Sequence, residues 1–189
     1  MLRIACAVLA FAAGGIAGGG AALSEENAGA GVANFFADCS EPTCRAEKVE
    51  RLKTAARDGD DYALVTLELL RARGEPGAPN LAEIISIEIA RAETGDAMTA
   101  WRLANRYRTG DGVVASQAEM IRWLKVAASE DPDVYPKSVD AAYSLCETLS
   151  RGEAAPADSG DARKWCRIAA GAGHAGAAMV IARLRASDD

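Results

Sequence analysis

The sequence predicts an all-α fold, an α/α superhelical solenoid of about three helical hairpins with capping helices at both ends. Three observations predict it. Four segments of one pattern, residues 51–59, 87–95, 123–131 and 165–173, end at steps of 36, 36 and 42 residues. Two further series keep the last two of those steps: Gly74, Gly110, Gly152 and Leu67, Leu103, Leu145. Apolar residues recur at helical spacing and no stretch alternates as a strand does, while aromatic residues, at 5%, are too few for an aromatic-rich β core. One hairpin cannot bury its own apolar stripe, so successive hairpins must stack.

Residues 1–22 read as an export signal rather than as part of the fold. Arg3 supplies a positive charge, residues 4–22 carry none, and Gly20-Ala21-Ala22 offers small residues for cleavage near Ala22. The uncharged run is almost long enough to span a bilayer, so an uncleaved anchor is the rival reading, weakened by its five glycines. Membrane contact is expected only through that segment. Residues 23–59 follow as an N-terminal capping segment with a degenerate half-repeat. The array occupies 60–189, with units at 60–95, 96–137 and 138–173 and a capping helix at 174–186.

Within these units the local signals are those of helix ends and turns. Asp58-Gly59-Asp60-Asp61 lacks the alternating ligands and closing Glu of a calcium loop and reads as helix capping. In the second unit, Ala97, Ala100, Leu103, Ala104 and Tyr107 share one helix face, and the helix stops at a glycine in Thr109-Gly110-Asp111-Gly112. That turn lacks the Lys-Ser/Thr of a phosphate loop. The next helix starts near Ser116 as N-cap and runs through Met120, Trp123, Leu124, Ala127 and Ala128. The insertion Asp131-Pro132-Asp133-Val134-Tyr135-Pro136-Lys137 explains the longer last step, and its two prolines stiffen it. Tyr135 is therefore expected on a rigid, exposed loop, as a candidate contact. His174 follows Gly173 at a helix–helix turn and reads as a turn or cap residue.

Ala97-x-x-Ala100-x-x-Leu103-Ala104-x-x-Tyr107-x-x-Gly110-x-Gly112-Val113, followed by Trp123-Leu124-x-x-Ala127-Ala128, resembles a Sel1-like repeat. The third unit is similar, in Ala142-x-x-Leu145, Gly152 and Ala162-x-x-Trp165-x-x-x-Ala169-Ala170-x-x-Gly173-His174. The first unit departs, with Glu68 in place of a small residue, Arg71 in place of tyrosine, and no tryptophan. The resemblance covers roughly residues 45–185 and implies a superhelix related to tetratricopeptide arrays. It also implies an adaptor that holds peptides or proteins, of a kind that is often exported in bacteria.

Removal of the signal leaves Cys39, Cys44, Cys146 and Cys166, an even number in an exported chain, for which three pairings are possible. A hairpin turning between Gly152 and Gly160 sets Cys146 opposite Cys166, and the same positions one unit earlier are the inward-facing Ala104 and Leu124. The expected bridges are therefore Cys146–Cys166 and a local Cys39–Cys44 clip. The first closes a loop of about 20 residues and stabilises by roughly 3 kcal/mol in the chain-entropy model.

Composition narrows the function. A net charge of −6 argues against a nucleic-acid binder, and a single histidine leaves no triad, Cys-His pair or multi-His metal site. No catalytic residue, cofactor site or metal site is assigned. Arg102, Arg106, Arg122 and Lys125 read as solvated charges. If the array stacks as tetratricopeptide repeats do, the first helix of each unit lines a concave groove. Its residues would be Tyr62, Val65 and Leu69, then Met98, Trp101 and Asn105, then Asp140, Tyr143 and Glu147. Val65, Trp101 and Tyr143 fall at equivalent places, as an apolar ridge that suits a peptide or helix; packing between helices is the competing role for the two aromatics. The expected function is a periplasmic or secreted adaptor for a protein or peptide, in envelope assembly or signalling. A secreted host-interaction protein of the same fold is the alternative. Some secreted Sel1-like proteins bind or hydrolyse β-lactams, but the Ser-x-x-Lys that would support a serine nucleophile is absent.

Overall fold

The computed structural model describes residues 35–152 and 159–186. The proposed signal, residues 1–22, lies outside them. Among the described residues eight helices follow one another: α1 Pro42–Arg57, α2 Asp61–Ala72, α3 Leu81–Glu93, α4 Ala97–Thr109, α5 Gln117–Ala127, α6 Lys137–Ser150, α7 Ser159–Gly171 and α8 Ala175–Ala186. Among the described residues there is no strand, and no helix is long and apolar enough to cross a membrane.

Short polar residues start four of these helices by accepting a first-turn N–H that has no partner inside the helix. Asp60 caps α2 by accepting from the Ala63 N–H at 3.0 Å, Asp96 caps α4 through the Thr99 N–H at 2.8 Å, and Ser116 caps α5 through the Glu119 N–H. At α3 the exchange is reciprocal: Asn80 accepts from the Glu83 N–H and the Glu83 carboxylate from the Asn80 N–H. Helix α1 has Pro42 in its first turn, where a missing N–H costs nothing. Helix α4 stops at Gly110, whose φ of 80° lets the chain turn left-handed without a Cβ penalty.

Each helix packs chiefly on its sequence neighbour, as in α4 on α5, α6 on α7 and α7 on α8, with second-neighbour contacts such as α4 on α6. The apolar faces gather into two clusters. One joins Phe36 and Val49 to Leu64, Leu67, Leu70, Ile84 and Ile87 of α2 and α3. The other runs from Ile85 through Leu103, Trp123 and Leu124 to Leu145, Trp165 and Val180. Ala100, Ala104, Ala141 and Ala142 are wholly buried on the facing sides of α4 and α6. Their small side chains let backbones approach, while Trp123 and Trp165 fill the wider gaps. Gly112 is fixed by the same economy of space. A Cβ there would stand 2.5 Å from Leu81 Cδ2 and 2.6 Å from Ile85 Cδ1, so the α4–α5 turn rests directly on α3.

Both expected disulfides are present, Cys39–Cys44 with Cα atoms 5.5 Å apart and Cys146–Cys166 at 4.7 Å. Cys146, Cys166, Ala104 and Leu124 are all buried in the second cluster, as the hairpin register requires.

Candidate binding face

The face is built on α4. Its inward side carries Ala100, Leu103 and Ala104; on the adjoining flank Trp101 packs half-buried against the edge of the second apolar cluster, with Asn105 half-buried beside it. The Asn105 amide is held from both ends, donating to the Trp101 carbonyl at 3.0 Å and accepting from the Arg108 guanidinium. Trp101 and Asn105 form one wall of an open cleft of about 320 Å³, completed by Arg102, Arg106, Thr109 and Asp111. A larger cleft of about 410 Å³ opens on the other flank of α4. Its floor includes Tyr107, Met120 and Leu124, and its rim includes Arg108, Glu147 and Arg151. The two clefts are separated by the Trp101–Asn105–Arg108 ridge.

The remaining expected contacts distribute unevenly around this ridge. On α2, Tyr62 is 71% and Val65 40% exposed, whereas Leu69 is half-buried against the first apolar cluster. Met98 is half-buried at the start of α4. On α6, Glu147 reaches the larger cleft and holds Arg151 at 2.7 Å, and Asp140 pairs with Lys137 at 3.0 Å. Tyr143 lines neither cleft. Its ring stacks on His174 with centroids 3.9 Å apart, and a Cβ on Gly176 would come within 2.9 Å of it, so α8 lies against it.

The insertion is exposed at residues 131–134 and 136–137, as expected, but Tyr135 itself is not. A turn in which the Asp131 carbonyl accepts from the Val134 and Tyr135 N–H groups folds the loop back and leaves the ring half-buried. Burial, then the carboxylates of Asp96 and Asp140, push its phenol up, while Arg102 opposes them. Val134 is the large apolar residue of this loop left exposed.

Arg102 and Arg106 do not stand as the solvated charges expected: Arg106 is buried, and Arg102 is half-buried with a quarter of its side chain in solvent. Arg106 donates to Glu88 at 2.7 Å, to Glu68 at 2.8 Å and to Asp111 at 2.5 Å, while Arg102 reaches Glu88 at 3.0 Å and also contacts Glu68. Glu88 is fully buried. Burial works against both guanidinium charges, but Glu68 and Glu88 outweigh it and hold each above its ordinary range. The signal for this network lay in the repeat spacing. Glu68 and Glu88 stand one 36-residue step before Ala104 and Leu124, and so occupy the inward hairpin positions that Cys146 and Cys166 fill in the third unit. Two carboxylates facing inward need cations, and the next helix, α4, supplies them. Arg122, by contrast, is exposed, and Lys125 is half-exposed and pairs with Asp161 at 3.0 Å.

Other polar groups are structural. Arg91, 3% exposed, bridges Asp61 and the capping Asp96. Asp96 loses hydration by burial, yet the Thr99 N–H and Arg91 more than compensate and keep its carboxyl below the ordinary range. Among the described residues no group of three His, Cys, Asp or Glu side chains is placed to hold a metal ion. What the ridge can do chemically is bind: it offers an indole, an amide and a guanidinium on a rigid helix between two clefts. No family model matches the chain, and no curated protein matches it.

Proposed function

We propose that the chain is an exported bacterial adaptor, an α/α solenoid of three Sel1-like repeats that holds a protein or peptide segment across the outward face of α2, α4 and α6. It acts in the periplasm or outside the cell, in envelope assembly or signalling, and has no catalytic residues. The observation that carries this reading is the ridge of Trp101, Asn105 and Arg108 standing between two clefts, with Tyr62 and Val65 uncovered on α2. Aromatic anchors flanked by polar groups are the usual centre of a binding surface, and a helical frame holds them at low entropic cost. The two disulfides support an oxidising compartment.

The test is affinity capture from periplasmic extract with wild-type protein beside a Tyr62→Ala/Trp101→Ala variant of matched helicity. The reading expects a protein retained by the first and lost by the second. Retention by both would move the site off this face, and retention by neither would remove the adaptor role.

A further inference from the structure

The ridge divides two clefts of different chemistry, and the difference specifies the ligand. In the smaller cleft the guanidiniums are already committed: Arg106 uses Nε, Nη1 and Nη2 on Glu88, Asp111 and Glu68, and Arg102 is held by Glu68 and Glu88. What that cleft has left to offer is the Trp101 indole, an apolar and aromatic surface. The larger cleft is the reverse. Arg108 has no carboxylate partner among the described residues and donates only to the neutral Asn105 amide, while Arg151 is paired with Glu147 alone. Two cations against one carboxylate leave the rim positive, in a chain whose net charge is −6. Beneath the rim, Tyr107, Met120 and Leu124 give the cavity an apolar floor, and its volume of about 410 Å³ admits a large aliphatic side chain.

Resting on the adaptor reading above, we propose that the bound segment carries an aliphatic residue with an adjacent carboxylate for the larger cleft, and an aromatic or aliphatic residue three positions away for Trp101. The spacing comes from the helix between them. The clefts lie on opposite flanks of α4, one toward α2 and α3 and one toward α5 and α6. Crossing a helix means spanning about 10 Å. A polyproline II segment covers about 9 Å in three residues and returns the side chain to the same face. The occupant is thus an extended, acidic peptide segment that lies across α4; a basic or nucleic-acid ligand does not fit the charge of either cleft.

The probes are two fluorescein-labelled, amidated peptides, Gly-Trp-Pro-Pro-Leu-Glu-Gly and its reversed sequence, so that either chain direction is sampled. Each is matched by a version with Lys in place of Glu, and binding is read by fluorescence anisotropy. Wild-type protein is expected to prefer a Glu peptide over its Lys counterpart by about tenfold, the effect of turning one attractive contact into a repulsive one. Arg108→Glu is expected to reverse the order, and Arg108→Gln to abolish the preference; Arg108 is exposed and neither change breaks an ion pair. Equal binding of Glu and Lys peptides, or a preference that survives Arg108→Glu, overturns the inference. If no probe binds while the capture experiment still retains a partner lost on Tyr62→Ala/Trp101→Ala, the inference falls and the adaptor reading stands. If capture fails too, both fall.

Discussion

Replacing Glu88 by leucine installs the residue that the next unit carries at the equivalent place, Leu124, and yet it should be among the most damaging single changes in the chain. Glu88 is fully buried and meets Arg106 at 2.7 Å and Arg102 at 3.0 Å. Its removal leaves Arg106, itself 8% exposed, with only Glu68 and Asp111 at the protein's edge. Breaking a buried pair from one side costs about 3–5 kcal/mol. Because Arg102 keeps a quarter of its side chain in solvent, the lower end applies, about 3 kcal/mol. With a urea m-value of about 2 kcal/mol/M, the midpoint followed by circular dichroism falls by roughly 1.5 M. The converse is the sharper part. Exchanging the whole network for its counterparts one step along, Glu68→Ala, Glu88→Leu, Arg102→Ser and Arg106→Thr, removes all four charges together. Full replacement of a buried ion cluster by packed residues is often neutral or better, so the quadruple variant should regain most of the loss. A Glu88→Leu midpoint within about 0.3 M of wild type, or a quadruple variant no better than the single one, refutes the network and the register behind it.

Other consequences follow from single positions. Gly112→Ala forces a Cβ into Leu81 and Ile85 at a φ of 73°, so it should cost about 1–3 kcal/mol, seen as a lower Tm. Cys146→Ser/Cys166→Ser opens a 20-residue loop inside the core and should lower stability by about 3 kcal/mol in urea titration. A non-reducing peptide map should recover Cys146–Cys166 and Cys39–Cys44 as the cross-linked pairs. The lowered carboxyl of Asp96 means that the unfolded chain binds its proton first as pH falls, so its contribution is complete above about pH 4 and lost below, through the folded value. Asp96→Asn should therefore flatten the acid limb of stability against pH, while an unchanged limb would show that the Arg91 contact carries no weight.

The parts of the fold legible in the sequence were those set by local chemistry or by counting. Ser116 and Asp60 sit where a helix needs an acceptor, Gly110 where it needs a left-handed residue, and Cys146 and Cys166 at positions that a hairpin brings together. What escaped depends on partners far apart along the chain. Arg106 looks solvated on a helix wheel because its counter-charges, Glu68 and Glu88, lie 38 and 18 residues away. Glu68 had been visible only as a departure from the repeat pattern, and its burial partner explains the departure. Tyr135 escapes for a related reason: two prolines announce a stiff, exposed loop but not which way its one aromatic ring turns, and that ring lies within the field of Asp96, Asp140 and Arg102. The candidate binding face is legible in part, because Trp101 and Asn105 follow from helical spacing, whereas the place of Arg108 emerges only when α4, α5 and α6 are seen together around one cleft.

The most direct test of the central claim uses the three indole N–H resonances of 15N-labelled protein in a heteronuclear correlation spectrum. Trp123 and Trp165 are 1% and 6% exposed in the core, while Trp101 is half-buried on the outward face of α4. On addition of concentrated periplasmic extract, the Trp101 signal, assigned by its loss in Trp101→Phe, should shift or broaden while the other two hold still. A spectrum in which Trp101 stays unmoved, whether the remaining signals shift or not, contradicts a partner bound across this face.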